Sequence, residues 1–145
     1  MKALNLIGHP VTLAASFLLL LISGQAFGGP YLVYLIMGLP HGAAYAVSGV
    51  GAVLVAFLAA RARKQAWIAT LLHFISILAM TLSLYLFFSG ERLQYNRATF
   101  TQTIPVVTLG LFALCVLTSL ARSLVVVSRM YDRYRRDDGT LTPLG

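Results

Sequence analysis

Acidic residues are nearly absent from this sequence. Asp and Glu together account for four of the 145 residues, against eleven Lys and Arg. The four acids are Glu91, Asp132, Asp137 and Asp138, and all of them lie outside the long apolar segments. Because proton relays in membrane carriers use ionisable residues within the membrane, the sequence gives little support to a proton-coupled carrier.

Charge of either sign is scarce and unevenly distributed. Charged residues make up 10% of the chain and are absent from residues 3–60, 65–90 and 98–121. A soluble domain carries about 25% charged residues. With a mean hydropathy of +0.82, uncharged segments of this length exclude a soluble globular domain and a disordered chain. The sequence therefore predicts a polytopic membrane protein.

Residues that would indicate chemistry are also few. The chain has one cysteine, Cys115, so neither an internal disulfide nor a Cys-x-x-Cys metal site is expected. It has no phosphate-binding loop, dinucleotide fingerprint, catalytic-triad spacing or His-Glu-x-x-His motif. We therefore expect no enzyme activity and no cofactor or metal, with Cys115 serving as a small packing residue.

The apolar segments define the predicted fold. A membrane-spanning helix needs about 20 apolar residues, and residues 10–27, 31–60, 66–88 and 104–127 meet this requirement. They predict an all-α membrane protein, a four-transmembrane-helix bundle forming a single integral membrane domain over residues 1–145. The only turn-like stretch between the first two segments is 23–30.

The second segment is too long for one straight span. Thirty residues form a helix of about 45 Å, whereas the hydrocarbon core is about 30 Å thick. Pro40 removes a helical hydrogen bond and clashes with the preceding turn, so we predict a kink or break at Gly38-Leu39-Pro40-His41-Gly42. A short outer segment, Tyr31 to Gly38, then precedes the span itself, from about His41 to Ala60. Since broken helices form binding sites in transporters, His41 is a candidate ligand residue. A simple kink at the outer interface is the alternative.

Basic residues predict the orientation. With four spans, nine of the eleven lie on one side of the membrane, which the positive-inside rule assigns to the cytoplasm together with both termini. The net charge of +7 is then a topology signal, and no nucleic-acid partner is expected.

Residues 128–145 form a basic cytoplasmic tail that we expect to contact anionic lipid. We expect the protein in the bacterial inner (plasma) membrane.

A signal peptide is the alternative for the N-terminus. Lys2, the apolar residues 11–22 and the small residues around Ala26 resemble one. Cleavage after Ala26 would leave three spans in the same orientation.

Small residues follow one side of the second span. They recur at alternating spacings of four and three, which places them on one face of a helix in a left-handed pair. The set, with Val53 as its one larger member, is Gly42, Ala46, Gly49, Val53, Ala56 and Ala60. Such a row allows close helix packing. It predicts either packing within the chain or a homo- or hetero-oligomer contact through this span.

Polar residues follow one side of each of the last two spans. On the third span the polar stripe consists of Thr70, His73, Ser76, Met80 and Ser83, and on the fourth span the row is Thr108, Leu111, Cys115, Thr118 and Arg122. Inward packing with local hydrogen bonds is one interpretation. The wall of a polar pathway is the other, with His73, Ser76, Thr108 and Thr118 as candidate residues.

Two histidines on facing helices at equal depth could ligate haem. From the helical rise, His41 and His73 are expected in opposite halves of the membrane, so they cannot share one iron. His9 and His73 are both expected towards the inner half and could meet only if the first helix began early.

The lack of reactive residues and the row of small residues predict a non-catalytic accessory or structural subunit of a membrane assembly. The alternative is a small homo-oligomeric channel or small-solute transporter that uses the Gly38–Gly42 break and the polar rows.

Overall fold

The fold is mostly helical. A computed structural model describes residues 6–23, 28–62, 65–90 and 99–139. Its helices are α1 (Pro10–Leu18), α2 (Tyr31–Gly38), α3 (Ala44–Arg61), α4 (Ala66–Ser89) and α5 (Thr103–Gly139). Two short strands, β1 (Leu21–Ile22) and β2 (Gly29–Pro30), pair antiparallel, with Leu21 opposite Pro30. Within the described chain, α3, α4 and α5 are long and apolar enough to cross a membrane, which is consistent with an integral membrane protein.

The region predicted as the first span is not one helix. Helix α1 has nine residues, about 14 Å; Leu19 caps its C-terminus, and the chain becomes extended only at the strand Leu21–Ile22. The prediction of a helix over residues 10–27 is therefore wrong from Leu19 to Ser23, and residues 24–27 lie outside the described chain. The extended backbone is stable because the Leu21 N–H donates to Thr108 Oγ1 at 3.1 Å and the Ser23 N–H donates to Thr99 Oγ1 at 2.9 Å.

The second predicted span is divided into two helices. After α2, residues Leu39–His41 form a 3₁₀ turn, and Gly42 adopts a left-handed conformation with φ +64°. Glycine is suited to this conformation because it has no Cβ. Helix α2 then packs against α3, and the Tyr45 hydroxyl donates to the Tyr34 carbonyl at 3.4 Å. The chain therefore turns back on itself at Gly38–Gly42, where we predicted a break between a short outer segment and the span that follows it.

Helices α3 and α4 make the most extensive contact in the molecule. The buried residues of α3 are all small, namely Ala46, Gly49, Ala52, Ala56 and Ala59, and Gly49 lies against both Ser83 of α4 and Leu35 of α2. Of the predicted row, Ala46, Gly49 and Ala56 are buried, Val53 and Ala60 are half-buried, and Gly42 is exposed. The buried face is thus slightly rotated from the predicted one. These small side chains allow the two backbones to approach closely.

An aromatic cluster around Phe87 of α4 forms another part of the core. The ring of Phe87 on α4 contacts the rings of Tyr31, Tyr34, Tyr45 and Phe88 with centroid distances of 5.1–5.2 Å, all edge-to-face. Edge-to-face pairs are a favourable aromatic geometry. The cluster joins α2 and α3 to α4.

Helix α5 is the longest and least buried span. Its 37 residues extend about 55 Å. Only 17% of its most apolar stretch is buried, against 39% for α4. Phe112 anchors it to α1 through the ring of Phe17, at a centroid distance of 5.8 Å. The helix continues through the first part of the predicted basic tail, to Gly139, and residues 140–145 lie outside the described chain.

The close approach at Gly49 can be tested by adding one methyl group. A Cβ at Gly49 would lie 2.7 Å from both Leu35 Cδ2 and Ser83 Oγ, and both side chains are fully buried. We expect Gly49→Ala to lower the free energy of unfolding by about 1–3 kcal/mol, the usual cost of overpacking. Thermal unfolding in mild detergent, followed by circular dichroism, measures the effect.

Gly51→Ala is the matched control, because a Cβ at Gly51 meets no atom within 4 Å. It should leave stability unchanged or slightly raised. Equal destabilisation by both substitutions would contradict the packing described for Gly49.

Candidate functional site

The polar stripe of α4 faces the interior. His73, Ser76, Met80 and Ser83 are all buried. Ser76 Oγ donates to the Ala52 carbonyl at 3.1 Å, and Ser83 Oγ donates to the Tyr45 carbonyl at 2.7 Å. Both hydroxyls therefore bond to the backbone of α3 across the helix contact.

Thr70, at the start of the same stripe, bonds within its own helix. Its hydroxyl donates to the Ala66 carbonyl at 2.8 Å. The three hydroxyl groups of the stripe thus each have a backbone acceptor.

His73 is the exception in this stripe. Its side chain is 5% exposed, and neither ring nitrogen has a hydrogen-bond partner among the described residues. A neutral imidazole has one donor and one acceptor. Leaving a buried polar group unpaired costs about 1–3 kcal/mol. An apolar side chain would therefore be more stable at this position if the position served packing alone.

His73 lines a cavity of about 440 Å³ at one end of the bundle. We call this the basic end, because α3 ends there at Arg61 and Arg122 of α5 lies there. The wall is formed by the start of α1, the end of α3, the first turns of α4 and the C-terminal half of α5. Its residues are Gly8, His9, Pro10, Ala59, Ala60, Ala66, Ala69, Thr70, His73, Arg122, Ser123 and Val126.

The start of α1 is held at this cavity by two side chains. Arg122 Nη1 donates to the Gly8 carbonyl at 3.0 Å. His9 caps the helix, because its Nδ1 accepts from the Val11 N–H at 3.3 Å. His9 and His73 therefore line the same cavity even though α1 begins only at Pro10. Among the described lining residues there is no Asp or Glu.

The other candidate residues lie elsewhere. His41 is exposed in the 3₁₀ turn. Thr108 Oγ1 donates to the Pro105 carbonyl at 2.8 Å and accepts from the Leu21 N–H, while Thr118 Oγ1 donates to the Leu114 carbonyl at 2.8 Å. The structure therefore does not gather His41, Thr108 and Thr118 with His73 into one site.

The packed face of α5 differs from the predicted row. Phe112, Ser119 and Ser123 are buried, whereas Leu111 is 56% exposed. Contact of Phe112 with Phe17 of α1 sets this rotation. Within the described residues, no group of three or more His, Cys, Asp and Glu side chains lies close enough to hold a metal ion.

Sequence reasoning missed the convergence of His9, His73 and Arg122. Arg122 and Gly8 are separated by 114 residues, and nothing in the local sequence pairs α1 with α5. One signal could have indicated it. His9, His73 and Arg122 are each expected in the inner half of the membrane, at the side where the basic residues lie.

Comparisons were made with models of protein families, with curated proteins and with solved structures. None of the three gives a significant match to this chain.

Proposed function

We propose that this protein is a small, non-catalytic accessory or structural subunit of a membrane assembly. The supporting observation is the use of the polar stripe. Ser76 and Ser83 are buried, and their hydroxyls bond to backbone carbonyls of α3. Hydroxyls used in this way hold two helices together and are not available to a solute in a pathway.

The rest of the chain supports the same function. Thr108 and Thr118, the pathway candidates of α5, bond to carbonyls of their own helix. The described small residues of α3 pack against α4 within the chain. Most large apolar side chains of α5 are exposed, so this helix has ample surface for lipid and for a partner.

We also propose that both termini lie in the cytoplasm of a bacterium, at the inner (plasma) membrane. The bond between Arg122 and Gly8 places the start of α1 at the basic end. Leu21 and Ser23 bond to Thr108 and Thr99 near the N-terminus of α5. Between Gly8 and Leu21 the chain therefore runs from Arg122 to Thr108 of α5, 14 residues or about 21 Å along that helix.

The second candidate function is a homo-oligomeric channel or small-solute transporter. The cavity beside His73 favours it, because cavities between the helices of a bundle are common binding sites. In that case His41→Ala or Ser76→Ala should alter solute flux in liposomes. We expect neither variant to do so, since His41 is exposed in a turn and Ser76 serves the helix contact.

Photo-crosslinking distinguishes the two functions. A crosslinking residue replaces Leu54, Leu78 or Leu117, one exposed position on each of α3, α4 and α5, with exposures of 60%, 69% and 64%. A subunit should give one adduct with a distinct membrane protein, from one or two of these faces. Met80, which is fully buried, is the control position and should give none.

Adducts from all three faces in equal yield would indicate random contacts and contradict a specific subunit. Adducts formed only with a second copy of this chain, together with solute leakage from liposomes, would favour the channel function over the subunit function.

If the polar stripe serves helix packing, alanine substitutions at Ser76 and Ser48 should differ in their effect on the free energy of unfolding. Ser76→Ala removes a buried hydrogen bond between helices and should lower the free energy of unfolding by about 0.6–1.7 kcal/mol. Ser48 is the control, because its hydroxyl donates to the Tyr45 carbonyl of its own helix at 3.1 Å. Ser48→Ala should change stability by less than about 0.5 kcal/mol. Unfolding in detergent measures both variants, and a Ser76→Ala variant as stable as the parent would argue against the packing role.

A further inference from the structure

The cavity at the basic end has the features of an anion site. Arg122 brings a permanent positive charge to its wall, because a guanidinium stays protonated in proteins. Among the described lining residues, none carries a negative charge. We propose that this cavity binds a phosphate group.

Arg122 is positioned to contact such a ligand without leaving its place. Its Nη1 donates to the Gly8 carbonyl at 3.0 Å, which fixes the guanidinium at the cavity wall. A guanidinium has five N–H donors in a planar fork that matches the oxygens of phosphate. It can therefore hold Gly8 and contact an anion at the same time.

His73 is the independent observation that points to a ligand. It is 95% buried, it lines the cavity, and neither ring nitrogen has a partner among the described residues. The other polar members of its stripe bond to backbone carbonyls. A phosphate oxygen in the cavity would accept from the imidazole N–H and satisfy the donor that the protein leaves unmet.

The helix ends add to the positive field on two sides. Helices α1 and α4 both begin at the cavity, at Pro10 and Ala66, and helix N-termini favour anions. The last turn of α3 brings Ala59 and Ala60 to the same wall, and this C-terminal end contributes the opposite sign. The partial charges of the helix ends thus partly cancel, and the formal charge of Arg122 determines that the cavity favours an anion.

The same chemistry has two sources, the headgroup of an anionic phospholipid and a soluble phosphate. His73 is seven residues from Ala66, where α4 begins, about 10–11 Å along the helix, so the cavity lies within reach of a lipid headgroup. A volume of about 440 Å³ accommodates either.

Binding is measured with the full chain in neutral detergent. Phosphatidylglycerol is added to the micelles in one series, with phosphatidylcholine of the same acyl chains as its control. Inorganic phosphate is added in a second series, with chloride at equal ionic strength. A ligand that binds only the native state raises the midpoint of thermal unfolding with concentration.

Arg122→Gln is the main variant and Arg129→Gln is its matched control. Arg129 is exposed on the same helix and does not line the cavity. Loss of a charged hydrogen bond should weaken binding about tenfold or more in Arg122→Gln. Binding in Arg129→Gln should stay within about twofold of the parent, since an exposed charge contributes little.

His73→Leu keeps the test valid if Arg122→Gln fails to fold. Replacing the unpaired imidazole with an apolar side chain should raise the unfolding midpoint without ligand, while the ligand-induced rise becomes smaller. A variant that is more stable and less responsive separates a binding role from a structural one.

The two series also identify the source. A response to phosphatidylglycerol alone supports a lipid headgroup, and a response to inorganic phosphate as well supports a soluble ligand. The proposal is overturned if neither probe raises the midpoint. It is equally overturned if Arg129→Gln weakens binding as much as Arg122→Gln, because the attraction would then be to net charge and not to the cavity.

Discussion

The close contact between α3 and α4 is the constraint on which the rest of the structure depends. Alanine and glycine side chains on α3 bring the two backbones near enough for Ser76 and Ser83 to bond carbonyls of the neighbouring helix. Lipid provides no hydrophobic drive between helices, so packing and such bonds must supply the stabilisation. Ser83 also contacts the hydroxyl of Tyr31 at 2.9 Å, which connects α2 to the same contact.

The N-terminal part of the chain shows how the bundle accommodates backbone that is not helical. An unpaired N–H within a membrane is costly, so irregular backbone is tolerated only where protein groups bond to it. The hydroxyls of Thr99 and Thr108 provide these bonds to Ser23 and Leu21. The row that we interpreted as a possible pathway wall is here part of the support for an extended segment.

The same contact explains why His73 is unusual. Hydroxyl groups are small and can reach the carbonyls of α3 or of α4 itself, whereas the imidazole ring is directed to the gap left where α3 ends and α4 begins. Arg122 closes the gap on the side of α5 by holding Gly8. The contact between α3 and α4 thus ends in a cavity that contains the positive charge of Arg122 and the unpaired imidazole of His73.

The sequence by itself determined the positions of the last two long apolar helices, which could cross a membrane, and the helix interruption at Gly38–Gly42, because composition, length and the local effects of proline and glycine act along the chain. It also placed Ala46, Gly49 and Ala56 on one side of α3. Tertiary structure alone decided that α2 turns back onto α3, that Leu21 and Ile22 form a strand, and that His9, His73 and Arg122 line one cavity. Those outcomes depend on hydrogen bonds between residues far apart in sequence, such as Leu21 with Thr108 and Arg122 with Gly8, which no local pattern encodes.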